Sequence, residues 1–340
     1  MSTAVISPAQ PEQILKGLGK IWTSLGEEEK QHGKPTVLRA CAMTLIVATD
    51  EADEGYFASQ TISELMREHP SRGIVLAVSD HFDGEPQARV LAQCWKPFGK
   101  AQQICCEQIE VKARSESWPK VGPILLGLIA ADLPVVFWCR HGAAATPEIT
   151  EKQMDGLSSV RDLATKTVVD TQGLPTKSAF ELVTKWRQHD RVVADLEWTR
   201  LTPWREPIAH VFDNTARENK FSSFREIEVA YSNEKPSAAC FYMGGWLSAP
   251  YKAQVEFKRV EGFGAGLHSV TLRAANETIS LERTGKDCMR IFSTNGRERR
   301  YSYADPTVTT LLTEELSITG PDPVFDAAFA RAQELLREYW

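Results

Sequence analysis

Apolar and polar residues follow two different periods along this chain, and each period predicts a type of element. Between residues 37 and 247, short apolar runs typical of buried strands alternate with segments whose apolar residues recur at helical spacing. The run Leu133–Cys139 is apolar almost throughout, as is usual for interior strands of a parallel sheet. Strands that alternate with helices predict an α/β fold with a mostly parallel sheet and helices on both faces, a Rossmann-like arrangement.

From residue 251 the pattern changes to short alternating runs separated by turn residues. This pattern predicts an antiparallel meander over residues 251–303, in which Asn295-Gly296 is the strongest hairpin signal. Apolar residues at helical spacing then predict two closing helices, at 306–316 and 323–339. The residues alone leave open whether the parallel sheet is one body or two.

Local patterns make further predictions within this frame. Glu12–Leu25 predicts an amphipathic helix, and the charged segment 26–35 predicts a loop after it. Val37–Thr49 is rich in Leu, Ile, Val and Ala and predicts one buried strand. Ala88–Trp95 and Gln103–Ala113 are strand-like runs joined by turn residues, which predicts a hairpin.

Two Trp and two Arg lie close together in the stretch 195–212, DLEWTRLTPWREPIAHVF. Alternation from Val192 to Trp198 predicts a short strand. A helix should follow, beginning at Pro203 or, because proline lacks an N–H, at Pro207. One interpretation is a corner whose Trp residues fill the core and whose Arg residues pair with nearby carboxylates. The other is a binding role, since Trp and Arg are the residues richest in hot spots.

Composition narrows the class of protein. The chain has 340 residues, 42% hydrophobic and 25% charged, with a net charge of −6, which suits a globular protein and disfavours a dedicated nucleic-acid binder. The N-terminus does not resemble a secretory signal, and the near-apolar run 121–131 is too short to span a membrane. The seven cysteines are odd in number and lack CxxC spacing, which predicts free thiols in a reducing cytoplasm. A thiol-based regulator that uses Cys105 and Cys106 is an alternative.

Motifs for catalysis, metals and cofactors are missing from the sequence. It contains no GxxxxGK[ST] run, no HExxH and no Cys/His set with zinc spacing, so we predict no catalytic constellation, no metal site and no cofactor. Arg140 and His141 follow a buried strand, at the edge where α/β sheets bind ligands. Together with Arg72 they are candidates for a ligand or anion contact. The enzyme alternative is a sugar-phosphate or nucleotide-binding protein with its site at this edge, near Arg140, His141 and Asp170.

Several segments carry a resemblance to one family. They are DLEWTRLTPWRE at 195–206, ADLPVVFW at 131–138, HPSRGIV at 69–75 and GGWL at 244–247. Together they resemble the glucose-6-phosphate dehydrogenase assembly protein family, OpcA, whose members are non-catalytic effectors.

The resemblance implies a protein that binds glucose-6-phosphate dehydrogenase and promotes its active oligomer, and so NADPH supply through the oxidative pentose phosphate pathway. It implies two parts, an N-terminal α/β domain at 30–160 and a C-terminal α/β domain at 161–340 that includes the meander and closing helices. It also implies that a set of residues contacts the partner or braces the contact surface: Asp195, Trp198, Arg200, Trp204 and Arg205.

Overall fold

The chain divides into two compact units in a computed structural model. The structure describes residues 4–32, 36–49, 52–79, 82–140, 162–188, 191–212, 223–261, 266–294, 296, 298–318 and 320–340. The first unit comprises Met1–Asp170, His189–Ala194 and Val308–Ser317, and the second comprises Thr171–Gln188, Asp195–Thr307 and Ile318–Trp340. The predicted boundary near residue 160 lies outside the described residues.

A mostly parallel sheet forms the centre of the first unit. Among the described residues, its strands are β1 (Ala4–Ile6), β2 (Val37–Arg39), β3 (Met43–Thr49), β4 (Ser71–Val78), β5 (Gln87–Trp95), β6 (Gln103–Ala113), β7 (Val135–Cys139), β8 (Lys166–Val169) and β9 (Val193–Asp195). They lie in the order β1-β5-β6-β4-β3-β7-β8-β9, and β2 also pairs with β6. Strands β6, β4, β3, β7 and β8 run parallel, whereas β5 is antiparallel to β6 and β1.

The described helices of the first unit are α1 (Pro11–His32), α2 (Ala52–Leu65), α3 (Trp118–Leu126) and, from much later in the chain, α8 (Val308–Ser317). Helices α1 and α2 pack on strands of this sheet, and α8 packs on α2. Strands β3, β4 and β7 are buried along almost their whole length, as the near-continuous apolar runs predict. A buried ion pair between Lys166 on β8 and Glu315 on α8, 2.6 Å apart, ties the late helix to this unit.

The second unit contains a second sheet, which is mostly antiparallel. Its strands are β10 (Glu226–Tyr231), β11 (Gln254–Arg259), β12 (Leu267–Arg273), β13 (Thr278–Arg283), β14 (Cys288–Ser293) and β15 (Arg299–Ser302). Their order is β11-β10-β12-β13-β14-β15. Among its described residues, the helices of this unit are α4 (Thr176–Trp186), α5 (Leu196–Thr199), α6 (Thr202–Phe212), α7 (Ala238–Ser248) and α9 (Pro323–Tyr339).

Helices α7 and α9 cross at very close range within the second unit. A Cβ atom on Gly245 of α7 would lie 2.4 Å from the carbonyl oxygen of Ala328 on α9 and 2.9 Å from the amide nitrogen of Ala332. Only a residue without a side chain fits there. The packing requirement explains why the GGWL segment needs its second glycine.

The α/β class is confirmed, and several local predictions are wrong. Helix α1 continues to His32 through the segment predicted as a loop, because Glu, Lys and Gln are good helix formers whatever their charge. The strand predicted at Val37–Thr49 is two strands. The backbone changes partner between them, since Ala40 N–H donates to the carbonyl of Cys105 and Ala42 N–H to that of Pro70.

Pairing in the second sheet corrects the predicted meander. The antiparallel prediction is confirmed for β12 to β15 but is wrong for β11, which pairs with β10 in parallel. Helix α7 connects β10 to β11, and a helical crossover returns the chain in the same direction. Strand β10, predicted to belong to the parallel sheet, therefore opens the second sheet. No helix among the described ranges is long and apolar enough to cross a membrane.

Two of the seven cysteines form a disulfide, contrary to the prediction of free thiols. Cys94 and Cys105 face each other on β5 and β6 with their Cα atoms 4.1 Å apart. The described free thiols are those of Cys41, Cys106, Cys139, Cys240 and Cys288. Because disulfides persist in oxidising compartments, cysteine use no longer supports the predicted reducing environment.

Candidate functional site

The segment Asp195–Phe212 forms a corner in the second unit, which we call the Trp/Arg corner. Strand β9 ends at Asp195, the short helix α5 follows at once, and α6 begins at Thr202. The predicted strand through Trp198 is wrong beyond Asp195, because the Asp195 carboxylate accepts a hydrogen bond from Glu197 N–H and starts a helical turn. Helix α6 spans both Pro203 and Pro207.

Asp195 is the most deeply buried group of the corner. Its side chain is 0% exposed, and it accepts hydrogen bonds from the N–H (3.1 Å) and hydroxyl (2.6 Å) of Thr171 and from the hydroxyl of Tyr242 (2.7 Å). Burial raises the pKa of the Tyr242 hydroxyl well above its usual value, and the Asp195 carboxylate raises it further. Several donors aimed at one carboxylate stabilise a buried charge. Asp195 thus joins three segments of the second unit.

Trp198 links the corner to the last helix. Its indole N–H donates to the Asp322 carboxylate at 3.2 Å, and Asp322 also caps the N-terminus of α9. The Arg205 guanidinium carbon lies 3.8 Å from the centre of the Trp198 ring, a cation–π stack between α6 and α5. The ring also packs against Phe325, with the ring centres 5.6 Å apart.

The remaining residues of the corner are held by local contacts. Arg200 donates to Glu197 at 3.1 Å, and both side chains are 13% exposed. Trp204 is 2% exposed and meets the Tyr303 ring edge-on, with the ring centres 6.2 Å apart. The outer face of α6 carries exposed residues: Glu206, Ala209 and His210.

The structure therefore brings all five predicted partner-binding residues together. Asp195, Trp198 and Trp204 lie in the interior of the second unit, and Arg200 and Arg205 are half-buried. Their role in partner binding stays a prediction, and the burial favours its bracing form over direct contact by the two Trp residues.

Sequence reasoning missed three residues that hold the corner together. Asp322 could have been found, because an Asp followed by Pro is a common helix start. Thr171 and Tyr242 carry no local signal, since they meet Asp195 across 24 and 47 residues of chain.

The candidate anion contacts do not form one cluster. Arg72 lies at the beginning of β4 and Arg140 directly after the end of β7, and both strands run parallel to β3. Arg72 is therefore at the amino ends of the parallel strands and Arg140 at their carboxyl ends. Arg72 is buried and donates to Glu107 (2.7 Å) and to the carbonyl of Leu128 (2.9 Å). Arg140 stacks on the Phe57 ring, 4.4 Å from its centre. His141 lies outside the described residues.

Metal-ligating side chains do not converge in the part of the chain that the structure describes. No group of three or more His, Cys, Asp or Glu side chains is placed there to hold an ion.

Family comparisons cover most of the chain. Residues 62–184 match the family described as the glucose-6-phosphate dehydrogenase subunit N-terminal domain, and residues 191–329 match the corresponding C-terminal domain. Both matches contain motifs quoted above, since the HPSRGIV segment lies in the first and the Trp/Arg corner in the second.

Curated relatives carry one name, "Putative OxPP cycle protein OpcA". The Synechocystis sp. protein is 26% identical over 258 residues, covering 73% of this chain and 51% of the relative. The Nostoc punctiforme protein is 22% identical over 290 residues, covering 76% and 60%. The Synechococcus elongatus protein is 24% identical and covers 99% and 88%. The matched region is thus about half the length of the Synechocystis protein.

Solved structures with some likeness are described as oxidoreductases. A putative oxidoreductase from Bacillus subtilis has a TM-score of 0.43 at 7% identity, covering 86% of this chain and 95% of that one. The scyllo-inositol dehydrogenase of Lactobacillus casei has a TM-score of 0.41 at 10% identity, covering 87% and 95%. Likeness at this level supports no conclusion about activity.

Proposed function

Because the chain belongs to the OpcA family of glucose-6-phosphate dehydrogenase assembly proteins, we propose that it is a non-catalytic effector of that dehydrogenase. It binds the enzyme in the cytoplasm, promotes its active oligomer and so supports NADPH production in the oxidative pentose phosphate pathway. The observation that carries this proposal is the pair of family matches, which together span residues 62–184 and 191–329.

An effector acts by binding one state of its partner more tightly than another. A protein with equal affinity for the active and inactive dehydrogenase would shift nothing. Such discrimination is helped by a surface that is rigid before binding, because little conformational entropy is then lost.

The Trp/Arg corner supplies a surface of this kind. Asp195, Trp198 and Trp204 are buried and bonded within the second unit, so they hold α6 in place. We propose that the outer face of α6, with Glu206 and His210 exposed and Arg205 half-buried, contacts the dehydrogenase. The buried residues then act as positioning residues for this face.

The sequence after β3 supports the non-catalytic part of the proposal. In dinucleotide-binding sheets the turn from the first parallel strand to its helix is glycine-rich, because the backbone must approach the pyrophosphate. Here that position reads Thr49-Asp-Glu-Ala-Asp-Glu-Gly55, in which only the last residue is glycine, so the sequence lacks the glycine-rich dinucleotide turn.

A titration tests the function directly. The purified chain is added to glucose-6-phosphate dehydrogenase from the same cell at sub-saturating glucose 6-phosphate, and NADPH formation and light scattering are recorded on the same samples. We expect a saturable rise in rate together with a change in mass. An unchanged rate and mass would refute the effector function, and turnover by the isolated chain would support the enzyme alternative instead.

Matched charge reversals test the contact face. Glu206→Arg on α6 should weaken activation by roughly tenfold in half-saturating concentration, as expected for a charge reversal within an interface. Glu181→Arg makes the same change on the exposed side of α4 and should leave activation unchanged. Equal activation by both variants would exclude the α6 face.

Truncating a buried residue of the Trp/Arg corner should have a different effect from a charge reversal on the exposed face of α6. Trp204→Ala removes a buried ring and should lower the stability of the second unit and the activation together. If a folded protein with alanine at Trp204 and Arg205 activates normally, neither residue belongs to the contact or to its support.

A further inference from the structure

The first unit contains a cavity that the family assignment does not explain. It has a volume of about 360 Å3 and lies between helix α2 and the strands β4, β6 and β5. This size is within the range of small-molecule sites in proteins. Its residues lie near the carboxyl ends of the parallel strands β4 and β6, the edge where open α/β sheets bind ligands.

Strand pairing fixes the floor of the cavity. Lys112 on β6 is aligned with Ala77 on β4 and with Gln87 on β5, so these three side chains form one row on the same face of the sheet. The next row, one pleat further from the edge, consists of Val75, Glu110 and Arg89. The floor is therefore apolar on the side of β4 and polar on the side of β5.

Helix α2 and strand β1 supply the remaining walls. Gly55 approaches β4 so closely that a Cβ atom there would lie 2.9 Å from the Ala77 Cβ. Tyr56 follows with its side chain 69% exposed, and Val5 of β1 is 70% exposed, although both line the cavity. An exposed aromatic ring at the mouth of a partly apolar cavity offers a stacking surface.

The charged side chains of the cavity differ in how far they are paired with other groups of the protein. The Glu110 carboxylate accepts from Arg89 Nε at 2.8 Å, from Arg89 Nη2 at 3.0 Å and from the Ser59 hydroxyl at 2.6 Å. Its charge is therefore compensated within the cavity wall. Arg89 retains Nη1, and the exposed ammonium group of Lys112 pairs with no carboxylate in the described parts of the chain. The Lys112 charge is thus not balanced by a carboxylate, and Arg89 keeps one N–H donor that a ligand can use.

We propose that this cavity binds a mononucleotide. The base would lie on Val75 and Ala77 and stack against Tyr56, the Gln87 amide would meet polar groups of the base or ribose, and the phosphate would pair with Lys112 and Arg89 Nη1. A planar base suits apolar walls better than a free sugar does, because every buried sugar hydroxyl needs a polar partner. The unpaired ammonium group calls for an anionic ligand.

Calorimetric titration of the full-length chain tests this site. The probes are AMP, GMP, UMP and CMP, with adenosine and inorganic phosphate as the two halves of one ligand. We expect at least one mononucleotide to bind more tightly than either half. Lys112→Ala should weaken binding about tenfold, since a charge-assisted hydrogen bond is lost, and Lys112→Arg should restore it. Lys120→Ala removes a lysine that pairs with Glu85 outside the cavity and serves as the matched control.

The stacking role of Tyr56 is tested separately. Tyr56→Leu should weaken nucleotide binding about tenfold, and Tyr56→Phe should not, because base stacking needs the ring and not the hydroxyl. Both substitutions are at an exposed position, so folding is preserved.

Three results would overturn the proposal. They are the absence of binding by all four mononucleotides, equal affinity for adenosine and AMP with no effect of Lys112→Ala, and normal nucleotide binding by both the Lys112→Ala and Tyr56→Leu variants. None of these measurements uses the dehydrogenase, so failure here leaves the effector function untouched.

Discussion

Replacement of Asp195 measures how strongly the Trp/Arg corner is held. The carboxylate is 0% exposed and accepts hydrogen bonds from two backbone N–H groups, those of Thr171 and Glu197, and from the hydroxyls of Thr171 and Tyr242. In Asp195→Ala these donors lose their acceptor. The hydroxyls can rotate towards other groups, whereas the backbone N–H groups are fixed. At roughly 1–3 kcal/mol for each buried unsatisfied N–H, the free energy of unfolding of the second unit should fall by about 4 kcal/mol.

Asp195→Asn separates hydrogen bonding from burial. The asparagine oxygen can still accept from both N–H groups, and its amide nitrogen can donate to the hydroxyl oxygens of Thr171 and Tyr242. We therefore expect a loss of only about 1 kcal/mol. Tyr242→Phe, which removes one of the hydroxyl donors, should cost a similar amount, about 1 kcal/mol.

Differential scanning calorimetry and urea unfolding supply the measurement. For a unit of this size, 1 kcal/mol corresponds to roughly 2–4 °C in the midpoint, so Asp195→Ala should lower the transition of the second unit by roughly 10 °C. Asp195→Asn should lower it by about 3 °C. Equal losses for the two variants, or a loss below about 1 kcal/mol for the alanine, would refute the argument that fixed N–H donors dominate.

Three further predictions concern other buried groups. Lys166→Met removes the buried 2.6 Å ion pair with Glu315 and should destabilise the first unit by roughly 3–5 kcal/mol in urea unfolding. Glu107→Gln removes the charge that faces the buried Arg72 guanidinium and should cost roughly 3 kcal/mol, without the loss of shape that alanine would cause. Burial raises the pKa of Tyr303 to about 12. The folded protein then keeps a proton that the unfolded chain loses near pH 10, so stability should fall from about pH 10 to 12, and Tyr303→Phe should reduce that slope.

Elements with strong local periodicity were predictable from the residues. The closing helix was predicted at 323–339, and α9 spans those same residues. The hairpin of β5 and β6 was predicted within one residue at each end. Both depend on contacts between near neighbours in sequence, which a single sequence displays.

Predictions failed where a distant partner decides the conformation. Val37–Thr49 is one apolar run but two strands, because its two halves pair with different neighbours. Strand β11 has the same alternation as β12, yet β11 runs parallel to β10 and β12 runs antiparallel to it. The difference arises because the helical crossover α7 brings the chain back to the starting end of β10 before β11 begins. Alternation specifies a strand with two different faces and does not specify which neighbour it joins.

The candidate site was likewise predictable only in part. The Trp/Arg corner was found from residue types and family resemblance, and its five predicted residues do lie together. Its dependence on Thr171 and Tyr242 was not visible, because those side chains reach Asp195 only after the second unit has formed.

By itself, then, the sequence determined the α/β class, most helices and strands, and the family to which the chain belongs, since these rest on local spacing and short motifs. Only the tertiary structure decided that Asp195, Trp198 and Trp204 face inward, that Cys94 and Cys105 are joined, and that a helix following the meander belongs to the first unit. The physical reason is that burial and strand pairing depend on which distant segments come into contact. The free energy of such a contact depends on both segments, so no single segment of the sequence specifies it.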